Sequence, residues 1–180
     1  MKKIVQKYWQ IIVIASVIVL LDQWTKGLVE ANIPLGGSWL PASLEWLSPY
    51  ARIVHWYNTG AAFGLFKEGS MVFTVLAFIV IGLILYYYPQ VENEDWSLRL
   101  AMSMQLGGAA GNLIDRLTIG HVTDFISVGT FPVFNVADAS ITVGAVVLFI
   151  GIWMMERAEK KNKKDVEDNM SATVNEVTGE

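Results

Sequence analysis

The sequence predicts an all-α membrane protein: four transmembrane helices, with a small β-sheet and a short surface helix on the outer side. Three observations carry that prediction. The 180-residue chain is 53% hydrophobic and only 17% charged, with a mean hydropathy of +0.42, and its charges leave long segments almost untouched. Four segments approach the roughly 20 apolar residues that a bilayer crossing needs. Basic residues gather at both ends, Lys2, Lys3 and Lys7 at one and Arg157, Lys160, Lys161, Lys163 and Lys164 at the other. Under the positive-inside rule both termini are then cytoplasmic, which requires an even number of spans.

The first span is 8–27. Its lysines and the apolar run 11–21 imitate a secretory signal, but Asp22-Gln23-Trp24-Thr25-Lys26 follows where a small-x-small cleavage site would stand, so the segment is read as retained. The uncharged part, 8–21, covers only about 21 Å of a hydrocarbon core about 30 Å thick. Asp22 and Lys26 therefore fall within the outer part of the helix. They are four apart on one face, acid before base, and can pair.

The second span, 71–88, closes at Pro89; the third is 98–117 and the fourth 137–155. The inner loop 90–97 sets three acids against Arg99, an exception that the rule tolerates because acids weigh little in it. The outer connections are 28–70 and 118–136. In the first, Trp39, Trp46 and Trp56 suit a membrane surface, 52–57 has strand-like composition, and prolines and glycines break up what precedes it. Residues 158–180 mix charges without periodicity and read as a disordered cytoplasmic tail, leaving 1–157 as the membrane domain.

Composition also excludes. A net charge of −4 leaves no basic footprint for nucleic acid. Without cysteine there is no disulfide and no thiol nucleophile. His55 and His121 lie far apart, outside any HExxH pattern, and read as interfacial side chains; no metal or cofactor is expected.

The polar residues within the apolar frame converge. Asp22 lies at the outer end of span 1, Asn58 at the return from the outer loop, Asn112, Asp115 and Arg116 at the outer end of span 3, and Asp138 at the outer start of span 4. Asp124 lies in the connection between the last two. Polar groups at membrane depth are costly unless partnered or functional. Each also has a plainer reading. Asp22 and Lys26 form an interfacial ion pair, Asp115-Arg116 is structural, Asn58 turns the chain, and Asp138 complements a helix N-terminus. Gly107 and Gly111, one turn apart, permit close helix approach. Asn112 and Arg116 share a face that packing alone does not explain; they are open to Asp22, to Asp115, or to a substrate's backbone and phosphate. Asp124 and Asp138, near the ends of one short loop, form a candidate acid/base pair.

Five stretches then stand in order: Asp22-Gln23-x-x-Lys26; Asn58-Thr59-Gly60-Ala61-Ala62-Phe63; Gly107-Gly108-Ala109-x-Gly111-Asn112-Leu113-Ile114-Asp115-Arg116; Val122-Thr123-Asp124-Phe125; and Phe134-Asn135-Val136-Ala137-Asp138. Over about residues 8–155 the chain resembles lipoprotein signal peptidase, the bacterial type II signal peptidase. The resemblance implies a membrane aspartic endopeptidase with Asp124 and Asp138 as its catalytic dyad. It implies substrate-binding or dyad-supporting roles for Asp22, Lys26, Asn58, Gly108, Asn112, Arg116, Asn135 and Ala137. It also implies four helices with an outer sheet called the cradle, a prolipoprotein substrate cut before its diacylglyceryl cysteine, inhibition by globomycin, and no cofactor. The expected setting is the bacterial cytoplasmic (inner) membrane, among membrane lipid, as a monomer with its active site near the outer face. Three rivals remain open. A transporter would carry polar groups through to the inner side. A serine/lysine peptidase would use Ser140 with Lys26, which no spacing pairs. A non-catalytic assembly factor would leave the dyad idle.

Overall fold

The structure is a computed structural model that describes residues 2–60, 69–92 and 94–178. Its elements are α1 (Lys2–Asn32), β1 (Ser38–Trp39), a 3-10 helix (Ala42–Leu47), β2 (Ala51–Asn58), α2 (Gly69–Tyr87), a 3-10 turn (Tyr88–Gln90), α3 (Trp96–Thr118), β3 (Val122–Val128) and α4 (Val136–Thr178). Ala61, Ala62 and Phe63 of the NTGAAF stretch lie outside the described residues.

Among the described residues three stretches are long and apolar enough to cross a membrane: Tyr8–Asn32, Ser70–Gln90 and Val136–Arg157. At 23 residues α3 has the length but not the apolarity. The reason is its place in the interior. It packs against α1, α2 and α4, and it buries Arg99, Ser103, Asn112 and Asp115 among its partners.

Small residues make that central position possible. A Cβ on Gly107 would come within 2.8 Å of Ile18 on α1, and one on Gly108 within 2.4 Å of the Ala137 carbonyl oxygen on α4. On α4, Ala137, Gly144 and Gly151 recur every seven residues. The two glycines meet Ala101 and Ser97 of α3, so the seam runs the full contact length. The sequence reading saw only the glycines on α3.

The small sheet and the short helix expected between the first two spans are present, but the sheet is larger than that connection can supply. It is antiparallel in the order β1-β2-β3, and β3 comes from the connection between α3 and α4. Asp124 pairs with Trp56 and Val122 with Asn58, with an irregularity between Ile53 and Trp56. Gly36, at φ +79°, makes the turn that lets Gly36 and Gly37 bond His55 across the β1–β2 hairpin. Val29, Ile33 and Phe125 form the core that joins the sheet to the outer end of α1.

Residues beyond 158, read from the sequence as a disordered tail, are helical in the structure and continue α4 to Thr178. Lys, Glu, Ala and Met are strong helix formers, and a helix already formed extends without the cost of a new nucleus.

Candidate active site

The site begins where α4 starts. The side-chain oxygen of Asn135 accepts the Asp138 N–H at 2.9 Å, and the Asn135 N–H donates to Asp138 Oδ2 at 3.3 Å. This is a reciprocal cap three residues long. The plainer reading of Asp138, an acid at a helix N-terminus, is therefore correct as far as one oxygen goes. The other oxygen, Oδ1, accepts the Asn112 amide at 2.7 Å.

Asn135 also reaches the second acid. Its Nδ2 donates to Asp124 Oδ1 at 2.7 Å, and Asn58 Nδ2 donates to Asp124 Oδ2 at 2.8 Å. The Asn58 amide is itself oriented, since its oxygen accepts the Gly60 N–H at 2.8 Å. Asp124 is 1% exposed. Burial pushes its carboxyl up to about 6, and the charge of Asp138 acts the same way, while the amides of Asn58 and Asn135 oppose them.

Beneath the two acids lies a buried ionic knot. The Lys26 ammonium has three donors and three partners: Asp22 Oδ2 at 2.7 Å, Asp115 Oδ2 at 2.8 Å and Asn112 Oδ1 at 3.0 Å. Asp22 and Lys26 are paired, and both are buried, 0% and 2% exposed. Asp22 Oδ1 accepts the Ala137 N–H at 2.9 Å, tying α1 to the first turn of α4. Gly111 has to be glycine here, because a Cβ would stand 2.7 Å from Asp22 Oδ2.

Asn112 is thus the hinge between knot and acids. Its oxygen accepts from Lys26 and, at 3.1 Å, from Asn135, which leaves its NH2 to face Asp138. Arg116 donates to the Asn112 carbonyl at 3.3 Å and lies over the Phe73 ring at 5.5 Å. Asn58, Phe73, Arg116, Asp124 and Asp138 line one cavity of about 600 Å³.

Three supporting residues escaped the sequence reading. Gln23 donates to Asp115 Oδ1 at 2.7 Å and to the Gly111 carbonyl at 3.2 Å. The Thr123 N–H donates to Asp115 Oδ2 at 3.3 Å, and its hydroxyl to Glu30 at 2.5 Å. Gln23 and Thr123 lie inside the quoted stretches, but their neighbours' charges drew the attention. Glu30 carried no signal. Ser140 is spent on backbone, donating to the Ala137 and Met104 carbonyls. His55 Nδ1 lies 2.7 Å from the Ile33 carbonyl, and His121 stacks on Tyr57.

The likeness to known proteins is extensive. A profile described as Signal peptidase (SPase) II matches residues 14–154. The lipoprotein signal peptidase of Symbiobacterium thermophilum is 39% identical over 150 residues, 81% of this chain and 95% of that one. Its counterpart in Halalkalibacterium halodurans is 37% identical over 155 residues, 84% and 96% of the two chains. A bacterial membrane enzyme solved at 1.9 Å superposes with a TM-score of 0.70 at 30% identity, covering 79% of this chain and 91% of that one. The class is that of membrane-bound peptidases. Within it, the chain belongs to the signal peptidase II family, the lipoprotein signal peptidases.

Proposed function

We propose that the protein removes the signal peptide from diacylglyceryl-modified prolipoproteins, cutting before the lipid-bearing cysteine, with Asp124 and Asp138 as an aspartic dyad. Asp22, Lys26, Asn58, Gly108, Asn112, Arg116, Asn135 and Ala137 hold the dyad or the substrate. The enzyme spans the bacterial cytoplasmic membrane four times, α3 included, with both termini inside. Its site lies near the outer face, under the sheet that forms the cradle. It acts as a monomer on a lipid-anchored substrate arriving through membrane lipid, and globomycin blocks it.

One observation carries this reading: a single residue, Asn135, is hydrogen-bonded to both carboxylates. The Asn135 side-chain amide holds Asp124 and its backbone N–H holds Asp138, and the charge of Asp138 raises the Asp124 carboxyl. The ionised member takes a proton from water as that water attacks the peptide carbonyl; the protonated member donates to the carbonyl oxygen. Collapse of the tetrahedral intermediate returns a proton to the leaving nitrogen and breaks the C–N bond. Burial lifts the Asp124 carboxyl to about 6, so Asp124 takes the role of proton donor below that pH. The serine/lysine route is disfavoured, because every Lys26 donor is engaged and Ser140 is bonded to backbone.

The test is processing of a diacylated prolipoprotein in membranes with matched expression. Asp124→Asn and Asp138→Asn should each lose about a thousandfold or more in rate, the scale of acid/base catalysis. Ser140→Ala should process at close to the normal rate. Normal processing by either Asp variant would overturn the dyad.

A further inference from the structure

The dyad occupies only the outer end of a longer feature. Asp95, at the N-cap of α3, and Leu98, Met102, Gln105, Asn112 and Arg116 along it recur at intervals of three, four and seven, so they lie on one stripe. On α2, Phe73, Leu76, Val80, Leu83 and Tyr87 do the same, and all five are 40–51% exposed. Phe73, Asn112 and Arg116 line the cavity beside the dyad. Leu83, Tyr87, Leu98, Met102 and Gln105 line a second cavity of about 570 Å³ at the inner end. The same two stripes therefore wall both cavities. Among the described residues α2 and α4 each pack on α3 with no comparable contact between them, so the groove is open to the bilayer from the side.

Charge sits at one end of this groove. Glu92 and Asp95 rim the inner cavity, and among the described residues they form no ion pair. Arg99 lies over the Tyr88 ring at 4.3 Å and donates to Gln10 and the Val91 carbonyl.

We infer that this groove seats the substrate's signal peptide, with its apolar segment along the α2/α3 stripes and its basic start against Glu92 and Asp95. The inference rests on the proposed function and adds where the substrate's far end is read. Signal peptides begin with a positively charged region followed by about 7–15 apolar residues. Residues 95 and 112 are 17 apart on α3, about 25 Å along the axis. A helical apolar segment of 15 residues covers about 22 Å, so a peptide whose basic end meets Asp95 delivers its cleavage bond to the level of Asn112 and the dyad. An inner loop rich in acids, an anomaly under the positive-inside rule, acquires a purpose as the complement of that basic end.

The experiment uses the purified full chain in a nonionic detergent and purified diacylated prolipoproteins with zero, two or four lysines at the start of the signal peptide. For the wild type, KM should fall about fivefold to tenfold from zero to four lysines at low salt, with kcat unchanged and the dependence flattened by high salt. The Glu92→Gln/Asp95→Asn variant, which removes both charges, should lose that dependence while cleaving the lysine-free substrate as the wild type does. A wild type indifferent to lysine number would overturn the groove proposal and leave the peptidase reading intact. So would a variant that keeps the wild-type dependence, or that fails equally on all three substrates. Failure of the wild type to cut any of them would overturn the peptidase reading itself.

Discussion

Asp124 stands between opposed influences, and they give it a measurable signature. Burial and Asp138 lift its carboxyl to about 6, while Asn58 and Asn135 stabilise the charged form through donated hydrogen bonds. The sign follows directly. A raised carboxyl keeps its proton below about pH 6 and loses it as pH rises through that value, so the singly protonated pair is depleted on the alkaline side. The kcat/KM profile should fall above about pH 6. Asn58→Ala removes a group that favours ionisation, so its falling limb should move to higher pH; a limb that stays in place or moves lower would contradict the assignment. Most side chains of this neighbourhood were legible in the sequence because charge and amide at membrane depth are conspicuous. Gln23, Thr123 and Glu30 were not. Nothing in their spacing says that a hydroxyl on one strand will meet a carboxylate on a helix 93 residues away.

At the level of elements, the α3–α4 seam decides how closely Asn112 can approach Asp138. Gly108 lies in that seam, and a methyl there would meet backbone, the Ala137 carbonyl, which cannot swing aside. Gly108→Ala should cost about 1–3 kcal/mol, the scale of overpacking, and lower the thermal unfolding midpoint in detergent by about 5 °C. Gly82→Ala on α2 has nothing within 4 Å of the new methyl. Its midpoint should stay within about 2 °C of the wild type. Equal losses from both substitutions would mean that helix propensity, not seam contact, governs these glycines. The missed element is β3. Val122–Val128 carries Thr123 and Asp124 among apolar residues and shows no strict alternation, since both faces of its first half are buried. A strand buried on two sides leaves no period-two pattern to find.

For the whole molecule, the Lys26 knot is the point where separate helices become one body. It joins α1 to α3 through Asp115 and Asn112, and Asp22 continues the link to α4 through the Ala137 N–H. Lys26→Met would leave two buried carboxylates without their cation. The expected cost is about 3–5 kcal/mol, or about 10 °C in the unfolding midpoint. The Asp22→Asn/Lys26→Met pair removes one of those stranded charges and should recover part of the loss. A single variant that melts with the wild type would show that the knot is not holding the helices together.

Taken by itself, the sequence determined the membrane class, the long apolar helices, the polar groups set within them and the family to which they point. These are properties of composition, run length and order, which the chain carries locally. Tertiary structure alone decided that β3 crosses to pair with β2, that α3 is the central helix, and that Asn135 is the residue bound to both acids. Each of these depends on which distant surfaces pack together, and a side chain's periodicity reports that it is buried but not against what.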